Sequence, residues 1–317
     1  IYGVRASNGV IIITTKKGTT AAPQFNYSAT ISVGKVGRKL NVMNASEFTR
    51  FIQQYHPDKT YLLGVDADSD PTNNVDDPAT TAIEGDNPAT PQIEGRILYD
   101  TDWQDAILRT AVSTDHNFSA RANLYNKIPF RFSLGYNKSQ GIVKTSDYER
   151  LTYSLKMTPK LFSDNLKIDV NAKGTYSDKN AIDDNGAIGG ALSMDPTKPI
   201  YGTPLNNRFG GYYQATTLTG GATPRNTLVG SYNPVALLNQ RTRPERTTRF
   251  LGNVEFDYKL PFLRDLRAVL NLGIDASQSR IFEYFSNNAI AAYAFNQGTD
   301  PDTNFVFNPG KSYLENQ

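Results

Sequence analysis

FRFSLGY at residues 130–136, LTYSLKM at 151–157 and LKIDVNA at 166–172 are three runs in which apolar and polar side chains alternate. A β-strand sends successive side chains to opposite faces. Phe130, Phe132, Leu134 and Tyr136 therefore share one side, with Arg131, Ser133, Gly135 and Asn137 on the other. Leu151, Tyr153, Leu155 and Met157 stand against Thr152, Ser154 and Lys156 in the same way, and Leu166, Ile168, Val170 and Ala172 against Lys167, Asp169, Asn171 and Lys173. With a weaker run starting at His116, this predicts a β-meander that is apolar on one face and charged or polar on the other. Alternation alone also fits a soluble antiparallel sheet with one solvated face. The connections separate the two readings, because a membrane barrel has short turns at one rim and long loops at the other. Residues 125–128 and 162–165 are tight turns, 141–147 is longer, and the connection after Tyr176 is very long.

Outward from this meander, Phe25, Tyr27, Ala29, Ile31 and Val33 form another alternating strand. Two more follow at Phe250, Gly252, Val254, Phe256, Tyr258 and at Leu266, Ala268, Leu270, Leu272, Ile274, with a short turn at 259–265 on the rim that the alternation of lengths predicts. The fold class is all-β. Between the first strand and the meander lies a long excursion. Asn44 followed by Glu47 is a helix-capping signal, and Phe48, Phe51, Ile52 and Tyr55 share a helical face up to Pro57. Residues 66–91 are acidic and rich in Asp, Asn, Pro and Thr, hence an exposed loop, and 101–110 read as a second short helix carrying Trp103. Residues 178–247 show no sustained alternation; a structureless stretch this long argues against a soluble domain, and in a barrel it is a functional extracellular loop. From Phe282 the chain again reads as loop.

Composition narrows the function. Among 317 residues there is no Cys, 11% are aromatic, and the formal charge is +2. The missing Cys removes thiolate catalysis, disulfides and Cys-based zinc sites, and the near-neutral charge gives no footprint for nucleic acid. His56 and His116 form no HExxH pair and read as surface or cap residues. No GxSxG or Walker motif occurs, and Asp183-Asp184-Asn185-Gly186 is turn chemistry. Asp66, Asp68 and Asp70, with Asn74 and Asp77, have the spacing of a calcium loop, but Pro71 stands where such a loop needs Gly. A solvated acidic loop fits the same residues.

Several stretches carry a family resemblance: IYGVRASNGVIIITTKKG at 1–18, LNVMNASEF, TDWQDAILRTA, FRFSLGYNKSQGIVKTSDYER, DPTKPIYG and YNPVALL. The chain resembles the SusC/RagA-type TonB-dependent outer-membrane transporters of Bacteroidota. The resemblance implies that 1–18 end a plug domain, 19–24 form a linker, and 25–317 supply the N-terminal part of a transmembrane antiparallel β-barrel with long extracellular loops. About seven strands are expected, with more following Gln317. It further implies import of a glycan, or of a peptide in the RagA manner, with a SusD-like lipoprotein as lid, the TonB–ExbB–ExbD system as energy source and dimers of transporter–lipoprotein pairs. No catalytic residue or cofactor is expected beyond the calcium candidate. A non-transporting β-rich surface adhesin or carbohydrate-binding module is the alternative. In the long loop, Tyr201, Arg208, Phe209, Tyr212 and Tyr213 are the expected contacts to substrate or lid, since Tyr and Arg concentrate interface energy; packing of the loop onto itself is the competing role.

Overall fold

The computed structural model describes residues 22–66, 96–125, 127–202, 209–219, 225–228, 230–263, 265–295, 305–307 and 311–316. The expected plug segment 1–18 lies outside them. Eight strands form one antiparallel meander in chain order: β1 (Gln24–Gly34), β2 (Ala111–Leu124), β3 (Ile128–Gln140), β4 (Asp147–Met157), β5 (Leu166–Asn180), β6 (Pro244–Lys259), β7 (Arg267–Phe285) and β8 (Lys311–Asn316). The two-residue strands Lys160–Leu161 and Arg241–Thr242 extend β5 and β7 at their ends.

Register decides whether alternation along each strand adds up to a two-faced sheet, because a slip of one residue would send every apolar side chain to the polar face. Here it adds up. Phe25 pairs with Ala120, Ala120 with Phe132, Phe132 with Leu155, Leu155 with Ala172, Ala172 with Gly252, and Gly252 with Ile274. The neighbouring row of the same face runs Tyr27, Phe118, Leu134, Tyr153, Gly174, Phe250 and Ala276. The row beside the first of these, on the side away from the second, is polar and points the other way: Gln24, Arg121, Arg131, Lys156, Asn171 and Asn253. Large side chains and glycines interlock on the apolar face. A Cβ on Gly174 would lie 2.1 Å from Tyr153 Cζ, so the tyrosine ring lies over a strand position that only glycine leaves open.

The apolar face is exposed, with Ile31, Leu134, Leu151, Tyr153, Phe250, Leu270 and Leu272 among its uncovered residues. Buried apolar residues lie mostly in the connections instead. A sheet that turns its large apolar side chains outward and keeps charges on the other face has the arrangement of a membrane barrel wall. No described helix is long and apolar enough to cross a membrane.

The connections keep the expected alternation. β2–β3, β4–β5 and β6–β7 are joined by short turns, whereas 35–110, 181–243 and the stretch after β7 are long and lie at the opposite rim, together with the hairpin tip at 141–146. The tight turn between β4 and β5 holds Phe162, Ser163 and Asp164 at positive φ.

A loop assembly at one rim and a polar wall on one face

The long connections share one core at their rim. These connections hold four helices, α1 (Ala45–Tyr55), α2 (Trp103–Ile107), α3 (Asp184–Ser193) and α4 (Pro234–Asn239), of which the last three meet in that core. Trp103 and Ile107 of α2 pack with Ala187 and Ala191 of α3, Val235 and Leu238 of α4, and Val143 from the β3–β4 tip. Each helix starts on a side-chain cap. Asn44 accepts from the Glu47 amide at 2.9 Å while Glu47 reaches back to the Asn44 amide at 3.1 Å, the reciprocal box that the sequence predicts. Asp102 caps α2, Asp183 caps α3 and Asn233 caps α4.

The stretch 178–247 is therefore more ordered than its lack of alternation suggests. β5 continues to Asn180, β6 begins at Pro244, and between them come α3, α4 and the strand pair Thr216–Thr219 with Arg225–Leu228. The Asp183-Asp184-Asn185-Gly186 turn is the start of α3. Helix α1 differs from expectation in its packing: Ala45 and Thr49 are buried, whereas Phe51 and Tyr55 of the predicted apolar face are exposed, their tilted rings 5.0 Å apart.

Buried polar side chains stitch the assembly together, and sequence reasoning did not single them out. Asn233 donates to the carbonyls of Ile200 at 2.8 Å and Tyr213 at 3.0 Å, accepts from the amides of Val235 and Ala236, and donates its own amide to Gln214. Gln240 donates to the Phe209 carbonyl at 2.7 Å and accepts from the Ile290 amide at 2.9 Å. Lys198 is buried, and its ammonium donates to the carbonyls of Leu62 and Gly64. Arg96 holds the Leu63 carbonyl at 2.8 Å, so two cations grip three successive carbonyls. Burial lowers the Lys198 pKa to about 8, with Arg96 nearby adding to the fall and Asp195 opposing it. Burial raises the pKa of Tyr213, whose ring lies 5.7 Å from the Lys198 nitrogen. The only signal in the sequence was the DPTKPIYG stretch itself, in which a lysine between two prolines gives no hint of burial.

A cleft of about 840 Å³ opens beside α2, lined by 39–44, 100–104 and 191–196 with Phe48. Lys39 bridges Asp102 at 2.7 Å and Asp105 at 2.8 Å at its edge. Hydrogen bonds to these carboxylates raise the Lys39 pKa; Asp102 is pushed up by burial but drawn lower overall by Lys39 and the amides of Asp105 and Gln104. The volume suits a small organic ligand or a short oligomer.

The expected loop contacts divide. Tyr201 is 63% exposed and its ring lies 5.6 Å from that of Tyr212, which accepts from Asn239 at 2.9 Å. Phe209 and Tyr213 are buried, Phe209 with Ala236 and Ile290, Tyr213 with Val65 and Ile97. Their surroundings are those of loop packing. Arg208 lies outside the described residues. So do Asp68 and Asp70 of the acidic triplet, while the backbone of Asp66 pairs with Arg96; among the described residues no cluster of His, Asp and Glu could hold a metal ion. His56 caps α1, and His116 Nδ1 bonds to the Tyr27 hydroxyl at 2.8 Å on the apolar face.

No family model matches the chain. It is 36% identical over 314 residues to the TonB-dependent receptor SusC of Bacteroides thetaiotaomicron, covering 93% of this chain and 28% of that protein. It is 27% identical over 287 residues to the TonB-dependent receptor P26 of Formosa agariphila, covering 89% of this chain and 24% of that one. The chain thus spans about a quarter of the length of these relatives. Among solved structures, the RagAB peptide importer in its closed-closed state matches with a TM-score of 0.61 at 19% identity, over 91% of this chain and 32% of that one. Its open-open state also gives 0.61, at 18% identity over 95% and 32%. That likeness establishes the fold: the sheet is part of a transmembrane antiparallel β-barrel. With the SusC match extending through the meander and the rim loops alike, the chain belongs to the SusC/RagA type of TonB-dependent receptors.

Proposed function

We propose that this chain works in the bacterial outer membrane as part of the barrel of an importer for a glycan, as the SusC-like partner of a SusD-like lipoprotein and driven by TonB–ExbB–ExbD. The observation that carries the reading is the two-faced meander whose long connections fold together at a single rim. A wall with an apolar outer face and a hydrophilic inner one gives a polar solute a path through lipid, and an ordered loop assembly at its mouth gives that solute, or a lid, a surface to meet. Nothing in this requires bond-making by the chain. The 36% identity to a TonB-dependent receptor supports the importer reading, and the RagAB likeness speaks for fold alone, so the glycan is chosen here on the family resemblance read in the sequence.

Within the assembly, Tyr201 is the aromatic group best placed for substrate or lid, being exposed and braced by Tyr212. Tyr201→Ala is expected to weaken oligosaccharide uptake or lipoprotein association several-fold without changing the amount of folded barrel. The decisive experiment deletes the gene, measures uptake of labelled oligosaccharides with and without the proton-motive force, and identifies the lipoprotein that co-purifies with the wild-type protein. Energised uptake that vanishes with the gene supports the proposal. Undiminished glycan uptake in the deletion strain, with loss of peptide uptake or of surface adhesion, would refute it.

A further inference from the structure

On the apolar face of the sheet, the change to charged side chains falls in a single row toward the loop rim. Lys138 of β3, Glu149 of β4, Asp178 of β5, Arg246 of β6 and Arg280 of β7 are successive partners across the strands. Lys138 bridges Glu149 at 2.7 Å, and Arg246 bridges Asp178 at 2.8 Å. Charges are costly in hydrocarbon, so this row marks one edge of the lipid band. From there toward the short turns, the same face of β5 carries no charge between Tyr176 and Leu166. That run is ten residues of rise, about 33 Å along the strand. At the roughly 35–45° tilt of barrel strands it covers about 25 Å of height, the full apolar band. The run from Ala276 down to Leu266, at the foot of β7, has the same length. The band therefore ends where the strands end, and no strand remains to carry the short turns away into water.

The tips of those turns are aromatic. Tyr125 between β2 and β3 is 90% exposed, Phe162 between β4 and β5 is 69% exposed, and Phe262 between β6 and β7 is 83% exposed. Tyr125 and Phe162 hold the backbone at φ of +51° and +52°. Bulky side chains adopt that left-handed conformation at a cost, whereas Gly or Asn adopts it readily. Turn geometry thus gives no reason for a ring at either position, and neither ring is packed in a core. Leu124, Leu161, Leu263 and Leu266 beside the tips are exposed too, so each tip continues the apolar face of the wall. A lysine stands near every tip in sequence, Lys127, Lys160 and Lys259, and Lys160 lies 3.7 Å from Asp164.

We propose that the three short turns are lipid anchors, with Tyr125, Phe162 and Phe262 seated between the headgroups and acyl chains of the phospholipid leaflet on the short-turn side. Aromatic rings favour that boundary, and lysines beside them favour the phosphates. The spacing of the tips fits a leaflet better than a folded protein. One ring recurs at every second strand connection, about 10 Å apart along the edge of the wall given the usual strand separation, so the rings trace the perimeter as a lipid boundary does. Seating the rings there offsets the strained backbone at Tyr125 and Phe162. The inference rests on the apolar face meeting lipid, and goes beyond it by placing the turns themselves in the leaflet instead of in the water beneath.

The test uses the intact transporter in vesicles of phosphatidylethanolamine and phosphatidylglycerol. Tyr125→Cys, Phe162→Cys, Phe262→Cys and, as a reference midway along β4, Leu155→Cys are each made singly and labelled with a small fluorophore. The quenchers are lipids carrying a nitroxide near the headgroup or deep in the acyl chain, and iodide on both sides of the membrane. The three tips should be quenched most by the shallow nitroxide, and Leu155→Cys by the deep one. Phe162→Asn suits the left-handed backbone and removes the ring, so the barrel should stay folded by heat-modifiable mobility. In that background a label on Ser163→Cys should lose shallow quenching several-fold and gain quenching by iodide. Tips reached by iodide alone, as for turns in water, or by no quencher, as for rings covered by protein, would overturn the proposal. Unchanged quenching at Ser163→Cys after Phe162→Asn would overturn it as well. If Leu155→Cys responds to the deep nitroxide while the tips escape the shallow one, only this inference falls; if Leu155→Cys escapes both, the facing of the wall falls with it.

Discussion

Burial holds the Lys198 amine at a pKa of about 8, more than two units below its ordinary value of 10.5. In the unfolded loop the same amine keeps its proton until about pH 10.4. Between about pH 8 and pH 10 the unfolded state therefore binds more protons than the folded one, and stability rises with pH; above that window the raised pKa of Tyr213 acts in the opposite direction. The expected readout is tryptic cleavage after Lys59, just before the carbonyls that Lys198 holds. Relative to Lys198→Met, in which this titration is gone, wild-type cleavage should slow between pH 7.5 and pH 9.5. A parallel pH dependence in both would contradict the assignment. Gly64 belongs to the same grip. It sits at φ +58° and a Cβ there would come 2.1 Å from the Ile97 carbonyl oxygen, so Gly64→Ala should destabilise this part of the loop by about 1–3 kcal/mol, seen as faster cleavage after Lys59. Neither residue was legible in the sequence, because burial of a lysine and the close approach of a distant carbonyl depend on contacts more than thirty positions away.

Strands and caps were legible where the information is local. Phe130, Phe132 and Leu134 reveal a strand by their spacing alone, and Asn44 with Glu47 reveals a helix start, because period two and the capping box need only near neighbours. Replacing Asn44 by Ala should cost α1 about 1 kcal/mol, measurable as faster proteolysis at Arg50. Helices α3 and α4 escaped because DNGAIGGALS carries three glycines and PVALLN is little more than one turn, so their stability comes from packing against Trp103 and Val143 rather than from propensity. The same locality governs the apolar stripe of α1: its pattern predicted a helix correctly, but which side of a helix is covered depends on the neighbours. Across a strand, facing can be tested by a pair of substitutions. Leu155 lies in the apolar row and Ser154 in the polar one, and an Arg on the lipid face near midplane costs roughly 2–4 kcal/mol. Leu155→Arg should reduce the yield of folded barrel strongly, while Ser154→Arg leaves it near the wild-type level. Equal losses would refute the facing.

At the scale of the whole molecule, the sequence specified a meander through the alternation of long and short connections, and the register from Phe25 to Ile274 shows why that alternation yields a wall rather than a stack of unrelated hairpins. What the strands alone could not reveal is how the long connections meet, since their shared core forms between segments of three different loops. The central claim is that the apolar rows face lipid and the polar rows face a water-filled lumen. With no native Cys in the chain, single cysteines at Phe132, Leu155 and Val170 and at Ser133, Ser154 and Asn171 can be compared in the transporter reconstituted into vesicles. The first three should be quenched by spin-labelled lipid and react poorly with a water-soluble maleimide, and the second three should do the reverse. Alternation of the two behaviours along β3, β4 and β5 is the predicted result, and equal accessibility on both sets would contradict the barrel.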